Sequence, residues 1–287
     1  MKKIFITALS LISLAANAQK IVNQAVITTK SNMISDEVQE DISNIGGNGG
    51  SGRFAGFDGE TKSITYYKDS MSKTVIKNEM MNSNIIRNNN SKVTTMLMEM
   101  MGSKLGFYSN DNEVLQMAQK RLDTMQAGPR KDSILRKMEN DKKRKSTIVY
   151  TEETKKIAGY DCKKAYLVTT NFLGQKDSSM IWYTPEIKLP GLANTMASMG
   201  FGRPSGGGNV TNFDDVNGFV MAYTQKLGAT RRMEVEVSKI ELDKEIKIKE
   251  FEIPKDYDVK PMSEMRNMFG GGAAGQGGGT FRIQRSQ

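Results

Sequence analysis

The sequence contains no histidine and a single cysteine, and both shortages restrict its chemistry. Histidine is the commonest general base and the commonest metal ligand, so Ser-His-Asp catalysis, Cys-His catalysis and histidine-based zinc sites are excluded. With Cys162 alone, no disulfide can form within the chain. Cys162 alternates with Tyr160, and with Tyr166 and Val168 further along, on one predicted strand face. We therefore expect a buried structural thiol in preference to a reactive one.

Long apolar runs are also scarce. Beyond the N-terminus, no run reaches the ~20 apolar residues that a membrane-spanning helix needs. At the N-terminus, Lys2 and Lys3 precede an apolar stretch over 4–16, and Ala16-Asn17-Ala18 has the small-x-small pattern of a cleavage site. We predict a signal peptide over residues 1–18, a mature chain that begins at Gln19, and a protein that is periplasmic or secreted.

The positive charge is dispersed rather than gathered into one segment. The chain carries a formal net charge of +9, and its densest basic run is KKRK at 142–145. We favour a solvated surface of mixed charge over a binding site for anionic partners such as lipid headgroups. Nucleic acid is not expected as a partner of an exported protein.

Short segments of alternating apolar residues predict a mainly β fold. In 230–240, for example, Met233, Val235 and Val237 share one face, with Glu234 and Glu236 on the other. Because the predicted strands are short and close together, we expect an antiparallel meander. The strands are predicted over 21–29, 62–68, 73–78, 83–87, 92–101, 104–109, 146–152, 156–170, 178–184, 218–226, 230–240 and 245–253.

Three segments depart from this β pattern. Residues 112–144 predict a helical insertion, because Val114, Ala118, Leu122 and Met125 recur at helical spacing before a break at Gly128-Pro129. Glycine-rich stretches predict a surface loop over 44–59 and a disordered tail over 268–287. The sequence therefore predicts one β-rich domain over residues 19–267, with this loop and this helical insertion.

Four segments share motifs with a known family. They are the Met-rich strand and turn at 98–104, KIAGYDCKK at 156–164, WYTPEI at 182–187, and FEIPKDY at 251–257 ahead of a Met- and Gly-rich tail. Together they resemble the exported DUF4412 family, a domain of unknown function related in style to the GLPGLI proteins, which KLPGLA at 188–193 echoes. The resemblance implies a large curved antiparallel sheet, akin to the open half-barrel of the LolA and RseB lipoprotein carriers and sensors. It supplies no catalytic residues.

Methionine is unusually frequent, with 20 in the chain. Met96, Met98 and Met100 alternate at period two, as a half-buried strand requires, and core packing is the favoured interpretation. The alternative is an adaptable apolar surface, since methionine accepts varied partners. Thioethers also bind copper(I), but no histidine or nearby cysteine accompanies them. We expect no metal and no cofactor.

The candidate site combines these methionines with aromatic residues on other strands. If the sheet curves, Met96, Met98, Met100, Tyr66, Tyr160 and Trp182 are candidate lining residues, with Val114, Leu122 and Met125 of the helical insertion as a cover. Adjacent acidic pairs such as Glu152-Glu153 point to opposite faces of a strand and do not form an acid/base site by themselves.

We predict a non-enzymatic exported binding module for an apolar ligand, namely a lipid, an acylated protein or a hydrophobic peptide. The alternative is a structural or assembly protein of the cell envelope that contacts other proteins through a sheet edge or its tail.

Overall fold

A computed structural model describes residues 19–35, 60–77, 82–100, 102–143, 145–170, 176–192, 213, 215–226 and 231–264. The predicted signal peptide, the loop over 44–59 and the tail over 268–287 lie outside these residues. The elements, in chain order, are β1 Lys20–Ile21, β2 Gln24–Ser35, β3 Glu60–Lys68, β4 Met71–Lys77, β5 Asn82–Asn88, β6 Val93–Met100, β7 Ser103–Asn110, α1 Asp111–Thr124, α2 Pro129–Lys143, β8 Lys145–Ile157, β9 Tyr160–Thr170, β10 Lys176–Thr184, β11 Ile187–Lys188, β12 Phe219–Lys226, β13 Arg231–Glu241, a 3-10 helix Ile248–Phe251 and β14 Asp258–Pro261.

Twelve of these strands form one open sheet in the order β14-β7-β6-β5-β4-β3-β2-β13-β12-β10-β9-β8. Strands β2 to β7 form one antiparallel meander and strands β8, β9, β10, β12 and β13 form another, joined where β2 pairs with β13. This confirms the mainly β fold with one large sheet. The sheet is mixed rather than purely antiparallel, because β14 pairs with β7 in parallel. The short strands β1 and β11 form a separate parallel ladder.

The sheet is curved in its second half. Three strands separate β8 from β13, so a flat sheet would hold them ~19 Å apart at the usual spacing between neighbouring strands. Instead, Cα atoms of the two strands approach within 8 Å, and the Lys155 ammonium lies 3.1 Å from the Glu236 carboxylate. This side of the sheet is therefore concave.

Three clusters of buried side chains hold the sheet together. One includes Ile27 and Tyr67 together with Val22 and Ile187 of the β1–β11 region. The Tyr67 hydroxyl donates a 3.0 Å hydrogen bond to the carbonyl of Pro190, just after β11. A second cluster contains Phe213, and a third contains Phe251 of the 3-10 helix. Since most strands pack one face against such a cluster, the burial alternates along them as the sequence predicts.

The helical insertion is confirmed as two helices. The Asn110 side chain caps α1 by accepting a 2.9 Å hydrogen bond from the backbone N–H of Asn112. Pro129 occupies the first position of α2, where its missing N–H costs nothing. Helix α1 contacts β7, and Leu122 is its buried residue among those whose side chains are described.

Two of the predicted strands are wrong. The strand predicted over 156–170 is divided by a two-residue turn at Ala158 and Gly159, whose φ angles are 49° and 89°. Both residues take left-handed conformations, as the tight hairpin turn that matches strand twist requires. Strand β8 correspondingly continues to Ile157, with a bulge between Tyr150 and Thr154.

The strand predicted over 245–253 is also wrong. This segment lies across the sheet and ends in the 3-10 helix, with Ile246 and Phe251 buried against Val26 of β2 and Ile86 of β5. Its alternation fails at Ile248, which is 52% exposed. The apolar face of β2–β6 needs a cover, and this segment supplies it instead of extending the sheet.

Candidate binding groove around Trp182

The six predicted lining residues do not form one surface, because they lie on opposite faces of the sheet. Tyr66 pairs with Lys73, and Lys73 pairs with Ile86. Ile86 pairs in turn with Thr95, and directly paired residues share a face. Met96 follows Thr95, so it points to the opposite face from Tyr66.

Trp182 lies on the same face as Tyr66. The row that contains Trp182 crosses β10, β12, β13 and β2 through Ala222, Glu236 and Lys30. It continues to Lys62, four residues before Tyr66 on the same strand. We call the face that carries Lys30, Trp182 and Glu236 the groove face. Tyr160 shares it, because Lys164, four residues further along β9, pairs with Trp182.

The methionines of β6 belong to the other face of the sheet, where Met98 is buried and Met96 is half-buried. Met98 is 7% exposed and pairs with Ser83 and Leu105. Met96 pairs with the fully buried Phe107, and Met100 ends the strand opposite Ser103. The prediction that these methionines line one surface together with the aromatic residues is therefore wrong, and the burial of Met98 fits the core interpretation.

The concave part of the groove face holds a groove of about 260 Å³. It crosses β2, β13, β12 and β10, with the end of β8 on one side. Met180, Trp182 and Ala222 form its apolar part, which we call the floor. We call the charged side chains around them the walls; these are Lys30, Glu60, Lys155, Glu234 and Glu236. The polar residues Asn32 and Thr224 also line the groove.

Trp182 is held in place by two ammonium groups. The Lys155 Nζ lies 4.8 Å from the centroid of the indole ring and the Lys164 Nζ lies 5.9 Å from it, both within the range of cation–π attraction. Lys164 is also 2.9 Å from the Glu153 carboxylate, and this hydrogen bond raises the pKa of the Lys164 ammonium. Lys155 links the ring to Glu236 across the concave face.

The charges along the walls are matched in pairs. Lys30 lies 3.0 Å from Glu60, and both side chains are about half exposed. Glu234 accepts from Arg232 at 3.3 Å. Exposed pairs of this kind contribute little stability, so they can exchange partners with a ligand at small cost. Chemically, the groove offers hydrogen-bond donors and acceptors beside an aromatic floor.

Cys162 has the environment of a structural thiol. It is fully buried, and burial raises the pKa of its thiol to about 11. Burial likewise raises the pKa of the Tyr160 hydroxyl, with the nearby Glu186 adding to the effect. A second depression of about 460 Å³ lies here, lined by Thr154, Asp161, Cys162, Lys163, Pro185 and Glu186. It has no aromatic floor, which makes it the weaker candidate site.

Within the described ranges, no three His, Cys, Asp or Glu side chains are grouped closely enough to hold a metal ion. In the same residues, no helix has the length and apolar character needed to cross a membrane.

Sequence reasoning found Trp182 but missed the lysines and glutamates around it. Glu234 and Glu236 were recognised as the polar face of their strand, which their exposure confirms. Lys155 and Lys164 gave no comparable signal, since lysines recur throughout the sequence. Lys164 lies over the indole because it pairs with Trp182 across β9 and β10, and Lys155 reaches the ring from β8 on the concave side.

Comparisons with known proteins do not assign a family. No protein-family model matches the sequence, and no curated protein matches it. The resemblance to DUF4412 and GLPGLI proteins therefore stays a prediction. Solved structures that resemble the chain include PNGF-II in two space groups, with TM-scores of 0.39 and 0.37 and identities of 12% and 13%. They cover 85% and 87% of this chain and 32% and 34% of PNGF-II, so this chain spans about a third of that protein. Similarities this distant carry no argument about function.

Proposed function

We propose that this protein is an exported, non-enzymatic binding module whose ligand occupies the groove around Trp182. The observation that carries the proposal is the juxtaposition of an apolar floor with paired charges on a concave face. Concave sites with apolar walls and a few placed polar groups are the usual form of ligand sites in proteins. The signal-peptide pattern at residues 1–18 supports export to the periplasm or beyond.

Among the predicted ligands, a hydrophobic peptide segment fits the groove best. A volume of about 260 Å³ is below the ~300–1,000 Å³ typical of pockets that enclose a whole small ligand. The groove is also bordered by charged side chains, with which an acyl chain could form no hydrogen bond. An extended peptide instead places one or two apolar side chains over Trp182 and offers its backbone groups to Lys30 and Glu60.

A non-enzymatic role is supported by the pairing of the groove's carboxylates, each of which lies close to a cation. The pairs are Glu60 with Lys30, Glu236 with Lys155 and Glu234 with Arg232. The chain has no histidine to serve as a general base beside them.

Trp182 provides a direct test, because it is the single tryptophan of the chain. The mature protein is titrated with a soluble peptide in which leucine alternates with serine and, separately, with palmitate, while indole emission is followed. We expect a saturable shift of emission with the peptide. Met180→Glu, which places a charge on the groove floor, should abolish the shift.

Met96→Glu is the matched control, since Met96 is also half-buried but lies on the opposite face of the sheet. It should leave the peptide titration unchanged, with circular dichroism confirming that both variants are folded. Saturation by palmitate alone would replace the peptide with an acyl ligand. The absence of any saturable change with either probe would refute the groove as the binding site.

A further inference from the structure

The two edges of the twelve-stranded sheet differ in how they are protected. The edge strand β14 is four residues long, carries Asp258 and Lys260, and ends at Pro261. Short length, charge and proline are the devices that keep an edge from pairing with another strand. At the other edge, β8 runs for 13 residues, and among the strands of the described residues it pairs with β9 alone.

Apart from Lys145 at its start, the protection along β8 lies in its second half. That half contains the bulge between Tyr150 and Thr154, followed by charged residues. The first half, Lys145–Tyr150, pairs with β9 in regular register, and we call it the edge segment. Its sequence KSTIVY is rich in residues that favour strands, and Val149 and Tyr150 are 48% and 47% exposed.

We propose that two copies of this chain associate by antiparallel pairing of their edge segments. Two residues that pair across the interface must lie on the same face of the sheet, and a two-fold axis normal to the sheet keeps every residue on its own face. Since alternate residues share a face, the two paired residue numbers must both be even or both be odd, so that their sum is even. The register centred on Ile148 satisfies this condition. It places Ile148 beside its own copy, Thr147 beside Val149, and Ser146 beside Tyr150.

Charge complementarity favours a second copy as the occupant of this edge. The basic run KKRK at 142–145 ends at Lys145, the first residue of the edge segment, and Glu152 and Glu153 follow that segment in the sequence. Antiparallel pairing directs the basic end of one edge segment, at Lys145, towards the acidic residues that follow the edge segment of the other copy, twice per dimer. Parallel pairing would place like charges together. Glu153 already contacts Lys164, but its side chain stays 59% exposed.

The dimer has a consequence for the groove. Val149 pairs with Tyr166, and Tyr166 pairs with Met180 on the groove floor, so Val149 lies on the groove face. A two-fold axis normal to the sheet keeps this face on the same side in both copies. The dimer therefore presents two Trp182 grooves in one direction. A long or repeated ligand that binds one groove would be held at a high effective concentration near the other.

Sedimentation velocity of the purified mature protein over a range of concentrations tests the association. We expect a monomer–dimer equilibrium that Val149→Lys weakens at least tenfold, because a lysine on an edge strand opposes pairing. Ile248→Lys is the matched control, since Ile248 is similarly exposed but lies outside the sheet. It should dimerise as the unmodified chain does. A monomer at every concentration, or a dimer equally stable with Val149→Lys, would overturn the proposal.

Ile148→Cys tests the register even if the lysine variant folds poorly. Directly opposed residues have Cα atoms ~4.5–5.5 Å apart, within the range that a disulfide spans. We expect an intermolecular disulfide to form on mild oxidation with Ile148→Cys and not with Ile248→Cys. Equal cross-linking of the two variants would refute the proposed pairing.

Discussion

The parallel edge strand β14 depends on the missing side chain of Gly106. In β7, Gly106 pairs with Leu97 on one side and with Val259 of β14 on the other. A Cβ atom at position 106 would lie 2.7 Å from the Val259 Cγ2 and 3.0 Å from the Leu97 Cδ2. Optimal carbon–carbon contacts are ~3.5–4.0 Å, so Gly106→Ala requires β14 to move outwards.

The size of the effect follows from two opposed terms. Overpacking by one methyl group costs roughly 1–3 kcal/mol when neighbours must shift. Replacing glycine by alanine where the backbone tolerates it stabilises the folded protein by ~0.4–1 kcal/mol, because alanine lowers the conformational entropy of the unfolded chain. We therefore expect Gly106→Ala to lower the free energy of unfolding by about 1–2 kcal/mol. For a chain of this size, that corresponds to a Tm lower by roughly 2–8 °C.

A double-mutant cycle separates this clash from a general effect of alanine in β7. Val259→Ala removes the methyl group that a new Cβ would meet, and by itself costs about 0.8 kcal/mol because Val259 is half-buried. Guanidinium unfolding of the two single variants and the double variant gives the coupling. We expect the double variant to be about 1 kcal/mol more stable than additivity predicts. Strict additivity would refute the steric explanation.

Three further outcomes follow from burial. Cys162 should not react with a thiol reagent near pH 8 in the native protein and should react fully after denaturation, because burial raises the pKa of its thiol to about 11; fast native labelling would contradict a structural role. Met98→Asp should unfold the domain, seen as loss of the circular dichroism signal, since Met98 is 7% exposed; a folded variant would show that Met98 is not core. Burial also raises the pKa of Tyr67 from 10.0 to about 12, so native Tyr67 favours its neutral form, and its contribution to stability is present below pH 10 and lost as the pH rises towards 12. Tyr67→Phe should flatten that alkaline decline in urea unfolding, and an unchanged slope would contradict this assignment.

Local features of the sequence were sufficient to predict most elements. Period-two alternation predicted the strands of both meanders, because it depends on residues that are neighbours in the chain. Gly128-Pro129 predicted the break between α1 and α2 for the same reason. The failures occurred where the pattern is ambiguous. At 245–253, alternating apolar residues fit either a strand or a covering segment, and only burial against Val26 and Ile86 distinguishes them.

The sequence by itself determined which side chains alternate along each strand. It also excluded histidine chemistry and disulfides within the chain, since it contains no histidine and one cysteine. It could not determine which residues of different strands share a face, because that depends on registers set between distant segments. Glu241 of β13, for example, pairs with Val26 of β2 at the opposite end of the chain. Those registers place Trp182 with Lys30 and Glu236 and separate it from Met96 and Met98. The curvature that brings Lys155 to Glu236 likewise arises from the packing of the whole sheet, which no local pattern encodes.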